Sequence, residues 1–247
     1  MDGTAVLEIV NLVKGWSPYT TIDGKHFRSK DMSPLKMEVE EDLAQTLYAC
    51  NLSSIVNYAN EHIKGKDAYK LFINIEAYNK VRLFSELNRD SKRNEYVSIE
   101  FRNEVFNFGQ FVASEPFVIK VMSQFEDSGD RAKVLVYAGN AGHKVNETYK
   151  DDGVRQEMTV KTGVVNEEVK EIPNPVQLAP FRTFTEIAQP QSSFIFRAQQ
   201  SRSGQGIEFA LFEADGGNWK VTAVKRIREY FATELEKHIK AGKVIVL

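Results

Sequence analysis

With one cysteine in 247 residues, this chain has neither an internal disulfide nor a thiolate zinc cluster, since each needs at least two sulfurs. A reducing compartment fits that usage. Long apolar runs are missing too, and none approaches the roughly 18 residues that span a bilayer. The opening "MDGTAVLEIVNLVKGW" lacks the basic start and the small-residue cleavage site of a secretion signal. A cytoplasmic protein with no membrane contact is expected. Charge of one sign is also lacking: 32 Lys and Arg stand against 34 Asp and Glu, a formal net of −2. No global field draws such a chain to nucleic acid or anionic lipid.

The familiar catalytic spacings are absent as well. Neither GxxxxGK[ST] nor GxGxxG occurs, so no glycine loop is laid out to cradle phosphates. There is no GxSxG elbow for a serine nucleophile and no HExxH helix for zinc. His26, His62, His143 and His238 are scattered, without a carboxylate or second imidazole at ligand spacing. The acidic residues that can be gathered for Mg²⁺ are Asp151, Asp152, Glu213 and Asp215, all in turn-like settings where solvation is the ordinary state. Cys50 in "TLYACNLSS" ends an apolar strand and reads as a buried, inert thiol. No catalytic residue, no metal ligand and no cofactor is therefore assigned.

What is present is an ordinary core-forming composition, 42% hydrophobic and 27% charged. Val6, Ile9, Val10 and Val13 recur at helical spacing, and Asp23-Gly24 between β-prone flanks signals a hairpin. "LAQTLYA" reads as a strand, and Asn51 is placed to cap a helix striped by Leu52, Ile55, Val56, Ala59 and Ile63. "YKLFINIEAYNKVRLFSEL" contains two strands joined near Ala77, Tyr78 and Asn79, and "YVSIEFRNEVF" continues the sheet. Ser114 is placed to cap a helix with Phe117, Val118, Val121, Met122 and Phe125 on one side, and Ser128 or Asp130 opens another.

From residue 143 the pattern alternates: a hairpin about Asp152-Gly153, a proline-bearing connection over 172–180, and a second hairpin in "SSFIFRAQQSRSGQGIEFALFEA". A helix is expected from Asn218 to Lys240, entered through Asp215-Gly216-Gly217 with Asn218 as its cap. The fold expected is α+β, with mixed and antiparallel sheets, hairpins in the C-terminal half and a long amphipathic C-terminal helix closing it. It divides into a mixed α/β region over 1–142 and a hairpin-rich region over 143–247, or runs as one continuous domain.

Two surfaces follow. The last helix buries Trp219, Ala223, Ile227, Tyr230, Phe231, Leu235 and Ile239, which turns Lys220, Lys225, Arg226 and Arg228 outward. With Arg197 and Arg202 on the neighbouring hairpin, these cations form a candidate nucleic-acid surface. Glu229, Glu234 and Glu236 lie close enough along the helix to neutralise much of it. The second surface is for assembly. Sixteen phenylalanines and nine tyrosines sit largely in alternating strands, so aromatics on an outer face need a partner. Trp219 and Phe231 would fix the helix, while Val244, Ile245 and Leu247 of the apolar tail "KVIVL" reach a neighbouring subunit.

"DDGVRQEMTVKTGVV", "IPNPVQLAPFRTFTEIAQPQSSFIFR" and "LFEADGGNWKVTAVKRIREYF" together resemble the YfdQ-like family of phage and prophage proteins from low-GC Gram-positive bacteria. The likeness runs over about residues 99–232 and includes "SGDRAKVLVYAG". It carries no catalytic assignment to any residue here. It implies a phage-encoded, non-virion accessory protein of the host cytoplasm, serving DNA metabolism or acting against host defence. The expected mode of action is self-assembly and binding, as a homo-oligomer with a host or phage protein partner. A nucleic-acid-binding module is the alternative, and a metal-dependent enzyme built on the four acidic residues is the third reading.

Overall fold

The computed structural model describes residues 20–22, 25–27, 43–64, 69–88, 91–141, 149–151, 156–162, 166–171, 174–201 and 206–247, with the strands over 20–27 and 149–171 given as backbone. The chain separates into two compact units, Met1–Asp42 and Leu43–Leu247. In the first, β1 (Thr20–Ile22) pairs antiparallel with β2 (Lys25–Phe27), as the Asp23-Gly24 signal predicts. The expected helix over residues 4–14 lies outside the described residues.

The second unit is α+β and holds three sheets. The largest has the order β14-β4-β5-β6-β3, formed by β3 (Leu47–Ala49), β4 (Leu71–Ala77), β5 (Lys80–Ser85), β6 (Glu95–Glu100) and β14 (Val244–Val246). β4, β5 and β6 are an antiparallel meander, whereas β3 runs parallel to β6 and β14 parallel to β4. The parallel β3–β4 relationship needs a crossover, and α1 (Leu52–Ile63) supplies it. Leu52, Ile55, Val56 and Ala59 of α1 recur three or four apart and are all buried. They meet Leu71, Ile73, Val81, Leu83, Val97 and Ile99, the alternate residues of the strands, in one core. Each fully buried Leu or Ile contributes about 1.5–3 kcal/mol.

The second sheet has the order β11-β12-β13-β7, from β7 (Val112–Ala113), β11 (Val176–Leu178), β12 (Ser192–Gln200) and β13 (Ile207–Glu213). α2 (Ser114–Gln124) and α3 (Arg131–Ala141) cover it. Its core is rich in phenylalanine: Phe106, Phe117, Phe125, Phe194, Phe196 and Phe209 are all buried. Phe196 and Phe209 stack at 5.6 Å, and Phe106 meets Phe125 edge-on at 5.2 Å. A third sheet, order β10-β9-β8, consists of β8 (Tyr149–Asp151), β9 (Gln156–Thr162) and β10 (Asn166–Glu171). The turn at Asp152-Gly153 itself is outside the described residues.

The last helix departs from expectation. It breaks at Leu235 into α4 (Asn218–Glu234) and α5 (Glu236–Lys240), because Leu235 leaves helical geometry with φ −112° while its side chain stays buried. Ile227, Phe231 and Leu235 pack in the core of the five-stranded sheet, so α4 lies on β4 and β14. The division at 142/143 is therefore crossed twice. β14 from the end of the chain extends the N-terminal meander, and β7 from before residue 142 pairs with β13. Within the proline-bearing connection, β11 is a strand of the hairpin sheet.

Three capping expectations are also corrected. Asn51 makes no cap hydrogen bond. The Glu186 carboxylate, 134 residues downstream, accepts the Leu52 N–H at 2.7 Å and the Ser53 N–H at 3.3 Å. A carboxylate suits the positive end of a helix better than an amide does. Ser114 donates to the Ala138 carbonyl at 2.6 Å, tying α2 to α3 instead of capping its own helix. At α4 the cap residue is Gly217, and Asp215 rather than Asn218 accepts the free amides: Gly217 N–H at 3.1 Å and Trp219 N–H at 3.3 Å. Met122 points outward at 57% exposure, leaving Phe117 and Val121 as the buried residues of α2, with Phe125 buried just beyond its end.

Candidate functional site

The segment 179–191 holds the two large sheets together, and a single amide organises it. Gln189 is 2% exposed. Its Oε1 accepts the Arg182 and Thr183 N–H groups at 3.0 and 3.2 Å. Its Nε2 donates to the carbonyls of Thr183, Phe184 and Ile187 at 3.0–3.3 Å. The Gln189 N–H in turn donates to Glu126 at 2.8 Å. A buried loop needs partners for its backbone groups, and one glutamine serves five of them, its two Nε2 hydrogens shared among three carbonyls. From this loop Phe184 enters the five-stranded core, Thr183 donates to the Tyr78 carbonyl, and Glu186 reaches α1.

Arg182 goes the other way. Its side chain is 2% exposed and lies over Trp219, 3.9 Å from the ring centre. Nη1 donates to Glu213 and Nη2 to Ser192, each at 2.5 Å, while Nε has no hydrogen-bond partner. Burial pushes the guanidinium down to about 10, partly offset by Glu213 and Asp215. The cation thus joins the loop, β12, the end of β13 and the first turn of α4. Glu213 and Asp215, candidates for metal, are both committed: one to Arg182, the other to the amides of α4. Asp151 is described as backbone alone and Asp152 lies outside the described residues. Among the described residues, no three His, Cys, Asp or Glu side chains gather in a way that holds an ion.

The glycines that follow have positive φ, 62° at Gly216 and 82° at Gly217, conformations that residues with a Cβ rarely adopt. The chain turns a corner there, and the amides a phosphate would need are already occupied by Asp215.

Most of the basic residues already make contacts within the chain. Lys220 extends over the Tyr78 and Trp219 rings at 5.7 and 5.8 Å. Lys225 pairs with Glu229 at 3.9 Å, and Arg226 donates to the Ala188 carbonyl at 2.8 Å. Arg228 is exposed on α4. Arg197 sits in β12, half-buried with Nη1 shielded from water. Arg202 lies outside the described residues.

The assembly residues are mostly spent inside the chain. Trp219, Phe231 and Val244 are buried, at 6%, 0% and 1% exposure. Ile245 is half-buried in β14, whose pairing with β4 uses the tail as this chain's own strand, and only Leu247 remains exposed.

Two surfaces that the residue patterns did not single out are open. On the outer side of the hairpin sheet, Ile195 is the register partner of Phe212, and Phe212 meets the Phe111 ring at 6.1 Å. All three are 36–37% exposed, an apolar cluster on a solvent face. The other surface is the face of the five-stranded sheet that no element among the described residues covers. A concavity of about 620 Å³ there is lined by Tyr48, Cys50, Lys80, Arg82, Ser98 and Arg102 among others. Cys50 is exposed, contrary to expectation; it follows β3, which ends the strand order of this sheet among the described residues. Carboxylates and cations interleave on this face: Glu76 lies 2.9 Å from Arg82 and 3.3 Å from Lys80, and Arg82 lies 3.6 Å from Glu95. A cation thus already stands between the acids.

Comparison with family models, with curated proteins and with solved structures finds no match to this chain. Among the described residues, no helix is long and apolar enough to cross a membrane.

Proposed function

We propose that this chain is a non-enzymatic, phage-encoded accessory protein of the host cytoplasm that acts by self-assembly and binding, in DNA metabolism or against host defence. The observation that carries the proposal is the cluster of Phe111, Ile195 and Phe212 on the solvent side of the β12–β13 hairpin. Three large apolar side chains on the solvent side of a strand pair whose other face packs in a phenylalanine-rich core favour a partner surface. The absence of catalysis is supported by the commitments of the candidate reactive groups. Glu213 and Asp215 hold Arg182 and the start of α4, and the carboxylates of the open sheet face hold Arg82 and Lys80.

The phage origin rests on the resemblance carried by residues 99–232. The two best-defined parts of that likeness, the proline-bounded segment ending in "SSFIFR" and the "FEADGG" turn, meet at Arg182, Ser192, Glu213 and Trp219. Sedimentation velocity across a concentration series tests the proposal. An assembly that the double variant Ile195→Glu, Phe212→Glu reduces supports it, and a strict monomer at tens of micromolar removes it.

A further inference from the structure

We infer that the groove formed by α4, α5 and β14 binds a small anionic amphiphile, a medium-chain carboxylate whose head meets Lys70 and Arg228 while its chain lies on apolar side chains. The inference goes beyond self-assembly and does not depend on it. The groove has a volume of about 390 Å³, inside the range of roughly 300–1,000 Å³ usual for small-molecule sites. The break at Leu235 and the turn after α5 create it. Gly242, at φ +69°, donates to the Ile239 carbonyl at 2.9 Å, and Lys243 donates to that of His238 at 2.9 Å, which ends α5 and starts β14. No atom stands within 4 Å of where a Cβ on Gly242 would be, so the space over this turn is open.

Burial orders the lining from apolar to charged. Val244 lies deepest at 1% exposure, and Ile239, Ile245 and Val246 are half-buried. Arg228 and Ala232, one helical turn apart on α4, and Lys70, one residue before β4, are exposed at the rim.

Charge selects the occupant. No acidic residue lines the groove. Lys80, Arg82, Arg102, Lys225 and Lys240 each stand within 4 Å of a carboxylate. Lys70 and Arg228 have no such partner among the described residues. Three and four residues from Arg228 stand Val224, Lys225, Phe231 and Ala232, none of them acidic. Glu86 meets Lys70 through the backbone, its N–H donating to the Lys70 carbonyl at 3.0 Å. Two unneutralised cations above an apolar hollow suit an anion with an apolar body; a neutral chain would leave the cations unused. Size argues against a protein in this place. An ordinary interface covers about 800 Å² on each partner around a core depleted of charge. The exposed residues of α5 beside the groove are Glu236, Lys237 and Lys240, all charged.

Titration calorimetry with octanoate and decanoate, below the concentrations at which they form micelles, tests the site. Saturable binding of one molecule per chain is expected, about 10-fold tighter for decanoate, because each buried methylene strengthens binding about four-fold. Lys70→Glu with Arg228→Glu should weaken decanoate about 10-fold or more. Ala232→Trp, which fills the groove from an exposed helical position, should remove binding. Ile195→Glu with Phe212→Glu should leave the affinity unchanged, which separates this groove from the apolar cluster on the hairpin. Circular dichroism checks that each variant is folded. No saturable heat, or equal binding by wild type and the double charge reversal, overturns the inference. So does binding that the hairpin variant loses while Ala232→Trp keeps it. A strict monomer that still binds decanoate in this pattern supports the site and removes self-assembly alone.

Discussion

The guanidinium carbon of Arg182 lies over Trp219, 3.9 Å from the ring centre, with Glu213 and Ser192 holding its two terminal nitrogens. This contact locks the first turn of α4 to the end of β13. Arg182→Ala is expected to lower the unfolding free energy by about 2–3 kcal/mol through lost packing and hydrogen bonds. Glu213 stays 42% exposed and hydrated, which keeps the loss below that for breaking a fully buried pair. Arg182→Lys should lose about half as much, since an ammonium cannot hold both partners while stacking on the indole. Urea unfolding followed by Trp fluorescence measures both; equal stability of wild type and Arg182→Ala would contradict the locking role.

Gly129 has φ +60°, and a Cβ there would stand 2.3 Å from the Gln177 carbonyl oxygen. That oxygen cannot move aside, because it accepts the Asp130 N–H at 2.8 Å within the junction of α3 and β11. Gly129→Ala should therefore cost about 2–4 kcal/mol, combining a strained dihedral with displaced backbone. Gly206, also at positive φ but with nothing within 4 Å, should tolerate alanine far better. Similar midpoints for the two variants would count against the close approach at Gly129.

Asp130 closes the same junction by accepting the Gln177 N–H at 2.9 Å and an ion pair from Lys133 at 2.9 Å. The backbone hydrogen bond, then Lys133, hold its carboxyl below the usual 3.8. A depressed carboxyl contributes stability that is present above its unfolded pKa and lost as pH falls through its folded value. The stability gap between wild type and Asp130→Asn should thus be constant from neutrality to about pH 5 and close at lower pH. A gap that widens on acidification would reverse the assigned sign.

Glu186 caps α1 from a distant loop, so Glu186→Ala should cost about 1 kcal/mol and Asn51→Ala much less. Thermal unfolding of the two variants separates them; the reverse order would return the cap to Asn51.

Much of this fold is legible in the residues. Alternation marks β4, β5, β12 and β13 within a residue or two, because one face of each strand is buried and side chains alternate. The stripe of α1 follows for the same reason at helical spacing. What the letters hide is long-range partnership. Glu186 reads as an ordinary polar residue, and its role depends on a helix 134 residues away. Gln189 and Arg182 lie in a proline-bounded connection where polar residues suggest solvent, yet both are buried. The one available hint was that an arginine, a threonine and a glutamine recur there among apolar neighbours. The tail "KVIVL" has the composition of a strand, but whether it pairs within its own chain is decided by β4, not by the tail. Exposure of Cys50 likewise depends on β3 standing at an edge, a property of strand order.

Sedimentation velocity from one to tens of micromolar addresses the central proposition most directly, namely that this chain works through surfaces shared with other copies. Masses of two or more chains, falling when the Ile195–Phe212 face is altered, are the predicted result. A single monomeric boundary at every concentration, unchanged by those substitutions, would contradict it.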